Sequence, residues 1–88
     1  MKRLFFIVAI LMCTLTPVRS QYDTNRFMNL GRQALIDGKY ATAIDNFNIL
    51  LRLNTRQYNA YFFRGIAKYN LGDYTGAERD FDQALLIN

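Results

Sequence analysis

Two similar stretches of sequence lie 34 residues apart in the chain: GKYATAIDNF at residues 38–47 and GDYTGAERDF at residues 72–81. When residues 24–54 are aligned with residues 58–88, eight of the 31 pairs are identical. In the first segment the identical residues are Asn25, Gly31, Gly38, Tyr40, Ala43, Phe47, Leu51 and Asn54. A fixed period of this length indicates a structural repeat, in which one small unit is copied along the chain.

The spacing of apolar residues predicts that each unit is a pair of helices. Apolar side chains recur every three or four residues, as at Ala43, Phe47, Leu50 and Leu51, which is the period of a helix and not of a strand. We expect four helices, over residues 24–37, 40–53, 58–71 and 74–87. The fold class is therefore all-α, with antiparallel helix-turn-helix repeats.

Glycines punctuate each pair at equivalent places. Gly38 and Gly72 follow the first helix of each pair, where a glycine can adopt the left-handed conformation that closes a helix. Asp73 is suited to cap the last helix, whereas Lys39 at the equivalent position is not.

A second pair of glycines, Gly31 and Gly65, lies inside predicted helices, where glycine costs about 1 kcal/mol relative to alanine. We expect it to allow close helix approach through Ala43 and Ala77. Larger side chains would then fill the wedge between the helices: Tyr40, Phe47, Tyr74 and Phe81.

These residues resemble the tetratricopeptide repeat, whose 34-residue helix-turn-helix unit has an aromatic, Leu-Gly, Gly-x-Tyr and Ala-x3-Phe pattern. The first unit reads Phe27, Leu30-Gly31, Gly38-Lys39-Tyr40, Ala43 and Phe47, and the second reads Tyr61, Arg64-Gly65, Gly72-Asp73-Tyr74, Ala77 and Phe81. The resemblance implies an α-solenoid with repeat one at 24–57 and repeat two at 58–88. The sequence departs from the pattern at Thr55, where proline is frequent, at Arg64 in place of leucine, and at Ala34 and Lys68 in place of tyrosine.

The resemblance also implies a binding surface, because members of the family hold a peptide or protein on the concave face formed by the first helix of each pair. The candidate partner-binding residues on that face are Asn25, Met28, Arg32, Leu35, Asn59, Phe62, Ile66 and Tyr69. Some members grip a terminal carboxylate with lysines and asparagines there. Met28 and Arg32 occupy positions where such a clamp would need Lys and Asn, so that function is not expected here.

Two readings of this face stay open at the level of sequence. Phe62, Ile66 and Tyr69 either line the face or pack against the first repeat as core. Asn25 and Asn59 either offer amide groups to the main chain of an extended peptide or cap their helices.

Composition excludes several classes of function. Residues 21–88 contain no His, Cys or Ser, which removes the usual bases, nucleophiles and soft metal ligands. Glu78 and Asp82 lie one turn apart and are interpreted as solvated charges. Residues 21–88 carry eight Lys and Arg against seven Asp and Glu, which is no polybasic surface. We expect no catalysis, no cofactor, no metal and no nucleic-acid partner.

The first 20 residues predict a secretory signal peptide. Lys2 and Arg3 precede an apolar run over residues 4–15, and Val18 and Ser20 suit a cleavage site after residue 20. An uncleaved anchor is an alternative, although a spanning helix needs about 20 apolar residues. Acylation of Cys13 is another, although Met12 stands where that processing needs a small residue. The expected location is periplasmic or secreted, without a membrane span after cleavage.

The sequence therefore predicts an exported protein-interaction module, an adaptor or scaffold formed by residues 21–88, with a protein or peptide partner. The alternatives are a structural unit that assembles with itself and the N-terminal repeat segment of a longer protein. Self-association would use the apolar end at Leu85, since a finished solenoid closes with a polar outer face.

Overall fold

The computed structural model describes residues 23–88, which fold into four helices. Helix α1 is helical over 23–36, and it is followed by α2 (Tyr40–Leu53), α3 (Tyr58–Asn70) and α4 (Tyr74–Ile87). The four predicted helices and the all-α class are confirmed, with boundaries that differ by at most one residue. The predicted signal peptide over residues 1–20 and its cleavage site lie outside the described residues.

The two turns within the helix pairs have the same hydrogen bonds. Gly38 has φ +75° and Gly72 has φ +85°, the left-handed conformation that the sequence predicted. In the first turn, Lys39 N–H donates to the carbonyl of Ala34 at 2.8 Å, and in the second Asp73 N–H donates to the carbonyl of Lys68 at 2.9 Å. These bonds satisfy carbonyls at the helix end that would otherwise lack a partner.

The starts of α2 and α4 differ in one contact. The Asp73 carboxylate accepts a hydrogen bond from Gly76 N–H at 3.0 Å, whereas the Lys39 side chain caps nothing. Both cap predictions are confirmed.

The connection between α2 and α3 uses side chains instead of a glycine. Arg56 N–H donates to the Asn54 side-chain oxygen at 3.0 Å, and the Tyr61 hydroxyl donates to the carbonyl of Thr55 at 3.1 Å. Tyr61 lies on α3, so this bond ties the loop to the following helix at the position where the family often has proline.

The core lies between α1, α2 and α3, and the Phe47 ring is at its centre. Phe47 and Leu50 are fully buried, and the Phe47 ring stacks on that of Phe63 with 6.1 Å between centroids. The rest of this cluster consists of buried Ala34, Ala43, Leu51, Ala60 and Ala67. Helix α4 packs on α3, which makes α3 the central element between α2 and α4.

The interior glycines make room for a phenylalanine ring. A Cβ at Gly31 would lie 2.5 Å from Phe47 Cε1, and a Cβ at Gly65 would lie 2.7 Å from Phe81 Cε1. The prediction of a close approach at both glycines is confirmed, and the nearest atoms at each glycine belong to a phenylalanine ring and not to Ala43 or Ala77. A flat ring reaches further from its own helix than a methyl group, so it is the ring that meets the glycine.

Tyr74 corrects a second expectation. Its side chain was predicted to fill the wedge between α3 and α4, yet Tyr74 is 63% exposed. Its ring lies edge-on against that of Tyr69, with 5.1 Å between centroids. Tyr40 at the equivalent position is partly buried and packs against the core.

Candidate functional site

The eight candidate residues lie on α1 and α3, the first helices of the two pairs, and they differ in exposure. Four are exposed: Asn25, Arg32, Phe62 and Tyr69. The other four are partly buried: Met28, Leu35, Asn59 and Ile66. Met28 and Leu35 pack against the core cluster, so on α1 the apolar members of the set serve the interior. The freely accessible apolar surface of the set is concentrated on α3.

Phe62 and Tyr69 supply that accessible surface. Phe62 is 46% exposed and Tyr69 is 58% exposed. They are seven residues apart, two helical turns, so they point to the same side of α3 about 10 Å apart along its axis. We call Phe62, Ile66 and Tyr69, with Asn59, the α3 face.

The two rings have different neighbours. The Phe62 ring lies 5.8 Å from that of Phe81 and 5.7 Å from that of Phe63, near the C-terminal end of the helix array. Tyr69 lies at the other end of α3 and contacts Tyr74 instead. The sequence left open whether these rings belong to the core. Both remain about half exposed, so neither is a fully buried core residue.

Arg32 brings a positive charge from α1 towards α3. Its guanidinium carbon lies 5.5 Å from the centroid of the Phe63 ring, a cation–π distance. Arg32 itself is exposed, so the charge is accessible from solvent. The exposed side of α1 and α3 thus combines aromatic surface with an arginine.

A buried polar cluster lies behind α3, and the sequence analysis did not find it. Asp80 is only 4% exposed. Each of its two carboxylate oxygens accepts a hydrogen bond of 2.8 Å from the Arg64 guanidinium, and Lys68 Nζ lies 3.1 Å from Oδ2. The remaining Arg64 nitrogen donates to the Asn48 side-chain oxygen at 2.8 Å, and its guanidinium carbon lies 5.4 Å from the Tyr61 ring centroid.

This cluster joins three helices, because Asn48 belongs to α2, Arg64 to α3 and Asp80 to α4. No buried side-chain nitrogen or oxygen within residues 23–88 lacks a hydrogen-bond partner. The signal was present in the sequence. Arg64 and Lys68 are the two departures from the repeat pattern on α3, they are one turn apart, and two cations at interior positions need a carboxylate.

Within the described residues, the possible metal ligands do not form a cluster. Residues 23–88 contain no group of three or more His, Cys, Asp or Glu side chains that could hold an ion. Glu78 and Asp82 are both exposed on α4. Over the same residues, none of the helices has the length and apolar character needed to span a membrane.

In α3 and α4, a glycine lies under a phenylalanine ring and a left-handed glycine forms the turn. A comparison of the sequence with family models gives a match over the same two helices. Residues 58–88 match the model described as tetratricopeptide repeat. The second helix pair is therefore similar to a tetratricopeptide repeat. The match confirms the resemblance found in the sequence, and the first pair, outside the matched residues, reproduces the same glycine–ring contact and turn.

No curated protein and no solved structure has significant similarity to this chain. The tetratricopeptide repeat is a protein-interaction module that is typically non-catalytic. The match therefore supports a protein-interaction module in general.

Proposed function

We propose that the protein is an exported adaptor that binds a protein or peptide partner across the exposed sides of α1 and α3. The observation that carries the proposal is the exposure of Phe62 and Tyr69 on one side of α3. Aromatic side chains are enriched in the buried centres of interfaces, where a few of them supply most of the binding energy. Two half-exposed rings on one helix face are surface that a partner would cover.

The neighbouring polar groups describe the partner. Asn59 lies one turn before Phe63 and is only partly buried, and its amide can donate to and accept from the main chain of an extended segment. Arg32 lies on the adjacent helix and would attract a carboxylate. The segment that fits this face carries an apolar side chain for Tyr69 and Phe62 and an acidic group within reach of Arg32.

Tyr69 is the residue that tests this face. Phe62 also borders the C-terminal end of the array, so its loss would change two surfaces. Tyr69 contacts only Tyr74 among the aromatic residues described, and its removal should leave the core intact. We expect Tyr69→Ala to weaken partner binding by about tenfold or more.

The matched control is Leu53→Ala, because Leu53 is 43% exposed and lies on α2, which contributes no residue to the proposed binding surface. Immobilised protein would be used to recover partners from the exported fraction, with urea unfolding of each variant measured in parallel. A partner lost with Tyr69→Ala and kept with Leu53→Ala supports the proposal. Equal recovery by the two variants, or a fall in stability that matches the loss of binding, refutes it.

Export is supported by the leader, with its basic start, its short apolar run and the small residues at Val18 and Ser20. We expect the mature protein to begin at Gln21. N-terminal sequencing of the periplasmic or secreted form measures this directly. Recovery of the chain in the membrane fraction with Met1 intact would make it an anchored protein instead.

A further inference from the structure

An open cleft of about 590 Å³ lies between α2 and α3, where the second helix pair packs on the first. We call it the basic cleft, because two of its five lining residues are arginines. The lining residues are Asn48, Leu51, Arg52, Thr55 and Arg64. None of them belongs to the α3 face, so the basic cleft is a separate surface.

The Arg64 guanidinium is held in one orientation at the wall of the cleft. It donates two hydrogen bonds to Asp80 and one to the Asn48 side-chain oxygen, each of 2.8 Å. The Tyr61 ring supports the guanidinium from one side, with 5.4 Å between the guanidinium carbon and the ring centroid. Two of the five N–H groups of the arginine take no part in these bonds. A ligand that accepts from them would meet a group that is already ordered, which lowers the entropy cost of binding.

The buried cluster behind the cleft has more positive than negative charge. Arg64 and Lys68 both pair with the Asp80 carboxylate, so two cations share one anion. The side chain of Arg64 is 18% exposed and that of Lys68 is 22% exposed, so water screens both charges only in part. Asn48, the other acceptor of Arg64, is neutral. An anion beside Arg64 would balance the remaining charge.

Arg52 and Thr55 approach the cleft from the other side. Arg52 lies in the last turn of α2 and is exposed, and within residues 23–88 it forms no ion pair. Thr55 lies in the following loop, where its carbonyl accepts a hydrogen bond of 3.1 Å from the Tyr61 hydroxyl. Tyr61 thus holds both the loop and Arg64 in place. Leu51, which also lines the cleft, is buried and apolar, and an apolar wall strengthens the attraction between charges beside it.

We propose that the basic cleft binds an oxyanion, a carboxylate or phosphate group, between the guanidinium groups of Arg52 and Arg64. Arginine recognises both groups by the same chemistry, because two N–H donors match two oxygens of the anion. The Thr55 hydroxyl supplies a further donor at the edge of the cleft. The oxyanion belongs either to an acidic side chain of a partner protein or to a phosphate-bearing ligand.

The probes are acetate, which represents an acidic side chain, and inorganic phosphate. Each is titrated into the full 88-residue chain at constant ionic strength set with chloride, and binding is followed by two-dimensional ¹H–¹⁵N NMR. We expect saturable shifts of the Arg52 and Arg64 side-chain Nε–H signals and of the Thr55 amide. Tighter binding of acetate would identify an acidic side chain as the source of the oxyanion, and tighter binding of phosphate would identify a phosphate-bearing ligand.

Arg52→Gln removes one of the two guanidinium groups without touching the buried cluster. We expect it to weaken binding of the tighter probe by about fivefold or more, the effect of losing a charge-assisted contact. The matched control is Arg26→Gln, because Arg26 is also exposed but lies on α1, which contributes no residue to the cleft. The control removes the same charge from the chain and should leave the affinity unchanged.

Asn48→Asp separates anion binding from stability. Aspartate has nearly the shape of asparagine, and its carboxylate can accept the same hydrogen bond from Arg64. The new negative charge would balance the excess positive charge of the cluster from within the chain. We therefore expect unchanged or higher stability in urea unfolding, together with at least a fivefold loss of anion affinity.

Three results would overturn the proposal. The first is the absence of saturable shifts at Arg52 and Arg64 with both probes. The second is an equal loss of affinity in Arg52→Gln and Arg26→Gln, which would mean that the anion responds only to the net charge of the chain. The third is an unchanged affinity in Asn48→Asp, because the excess charge of the cluster would then have no part in binding. None of these results depends on Tyr69, so the α3 face is tested independently.

Discussion

Replacing Gly31 with alanine tests the contact that joins the two helices of the first pair. The added Cβ would lie 2.5 Å from Phe47 Cε1, closer than non-bonded carbon atoms can approach, so the ring must move. Phe47 is fully buried and stacked on Phe63, which leaves its ring no free volume. The strain is therefore transmitted into the core.

Gly65 is the matched site in the second pair. Its added Cβ would lie 2.7 Å from Phe81 Cε1, almost the same clash. However, Phe81 is only partly buried and lines an open apolar recess beside Tyr58 and Leu85, so its ring can shift into open space. The two substitutions therefore create almost the same clash and differ mainly in how far the contacted ring, Phe47 or Phe81, can move.

The expected magnitudes follow from two opposing effects. Each substitution gains about 1 kcal/mol, because alanine favours a helix more than glycine does. Overpacking of a filled core costs about 1–3 kcal/mol. We expect Gly31→Ala to lower the free energy of unfolding by up to about 2 kcal/mol. Gly65→Ala should leave it unchanged or raise it by up to about 1 kcal/mol, since relaxation of the ring removes most of the overpacking cost.

Urea unfolding of the two variants, followed by helical circular dichroism, measures the difference. A Phe47→Leu background provides the control, because a smaller side chain above Gly31 should remove the penalty of the alanine. Equal unfolding free energies for Gly31→Ala and Gly65→Ala, or a penalty at Gly31 that persists in the Phe47→Leu background, would refute the reasoning.

Two further predictions concern polar contacts and use the same unfolding measurement. Asp80→Ala should lower the unfolding free energy by about 3 kcal/mol, because it leaves Arg64 and Lys68 without their buried carboxylate. Asp82→Ala on the exposed side of α4 should change it little, and a loss for Asp80→Ala as small as that for Asp82→Ala would contradict the prediction. Asp73→Ala should lower the unfolding free energy by about 1 kcal/mol by removing the cap of α4. Lys39→Asp should raise it by up to about 1 kcal/mol, because the backbone dihedral angles of Lys39 and Asp73 are nearly equal and an aspartate at position 39 can cap α2 in the same way. No change with Lys39→Asp would contradict the equivalence of the two positions.

The helices and turns were predictable from sequence because they depend on local chemistry that the repeat states twice. Gly38 and Gly72 mark positions where only glycine is unstrained, and the structure places both at positive φ. Asp73 was predictable as a cap for the same reason, since its hydrogen bond spans only three residues.

Contacts between helices were less predictable, because they depend on how far a side chain reaches. The close approach at Gly31 was expected, but the Phe47 ring makes it, not Ala43. Tyr74 was expected inside the wedge by analogy with the repeat pattern. A pairing with Tyr69 leaves it outside, and no spacing rule within either helix indicates that pair.

The cluster around Asp80 required information from three helices at once. Arg64 and Lys68 were visible as departures from the repeat, but the sequence offered several carboxylates on α4. Which of them points inwards depends on the rotation of α4 against α3, and the structure selects Asp80 over Glu78 and Asp82.

Site-specific photocrosslinking from Tyr69 is the most direct test of the central claim, that the α3 face holds a partner. A photoreactive phenylalanine analogue would replace Tyr69 in one strain and Leu53 on α2 in another, and the producing cells would be irradiated. Tyr69 is 58% exposed and Leu53 is 43% exposed, so each probe is accessible. The account predicts one discrete crosslinked species from position 69 and none from position 53. The absence of any species from position 69, or the same species from both positions, would contradict it.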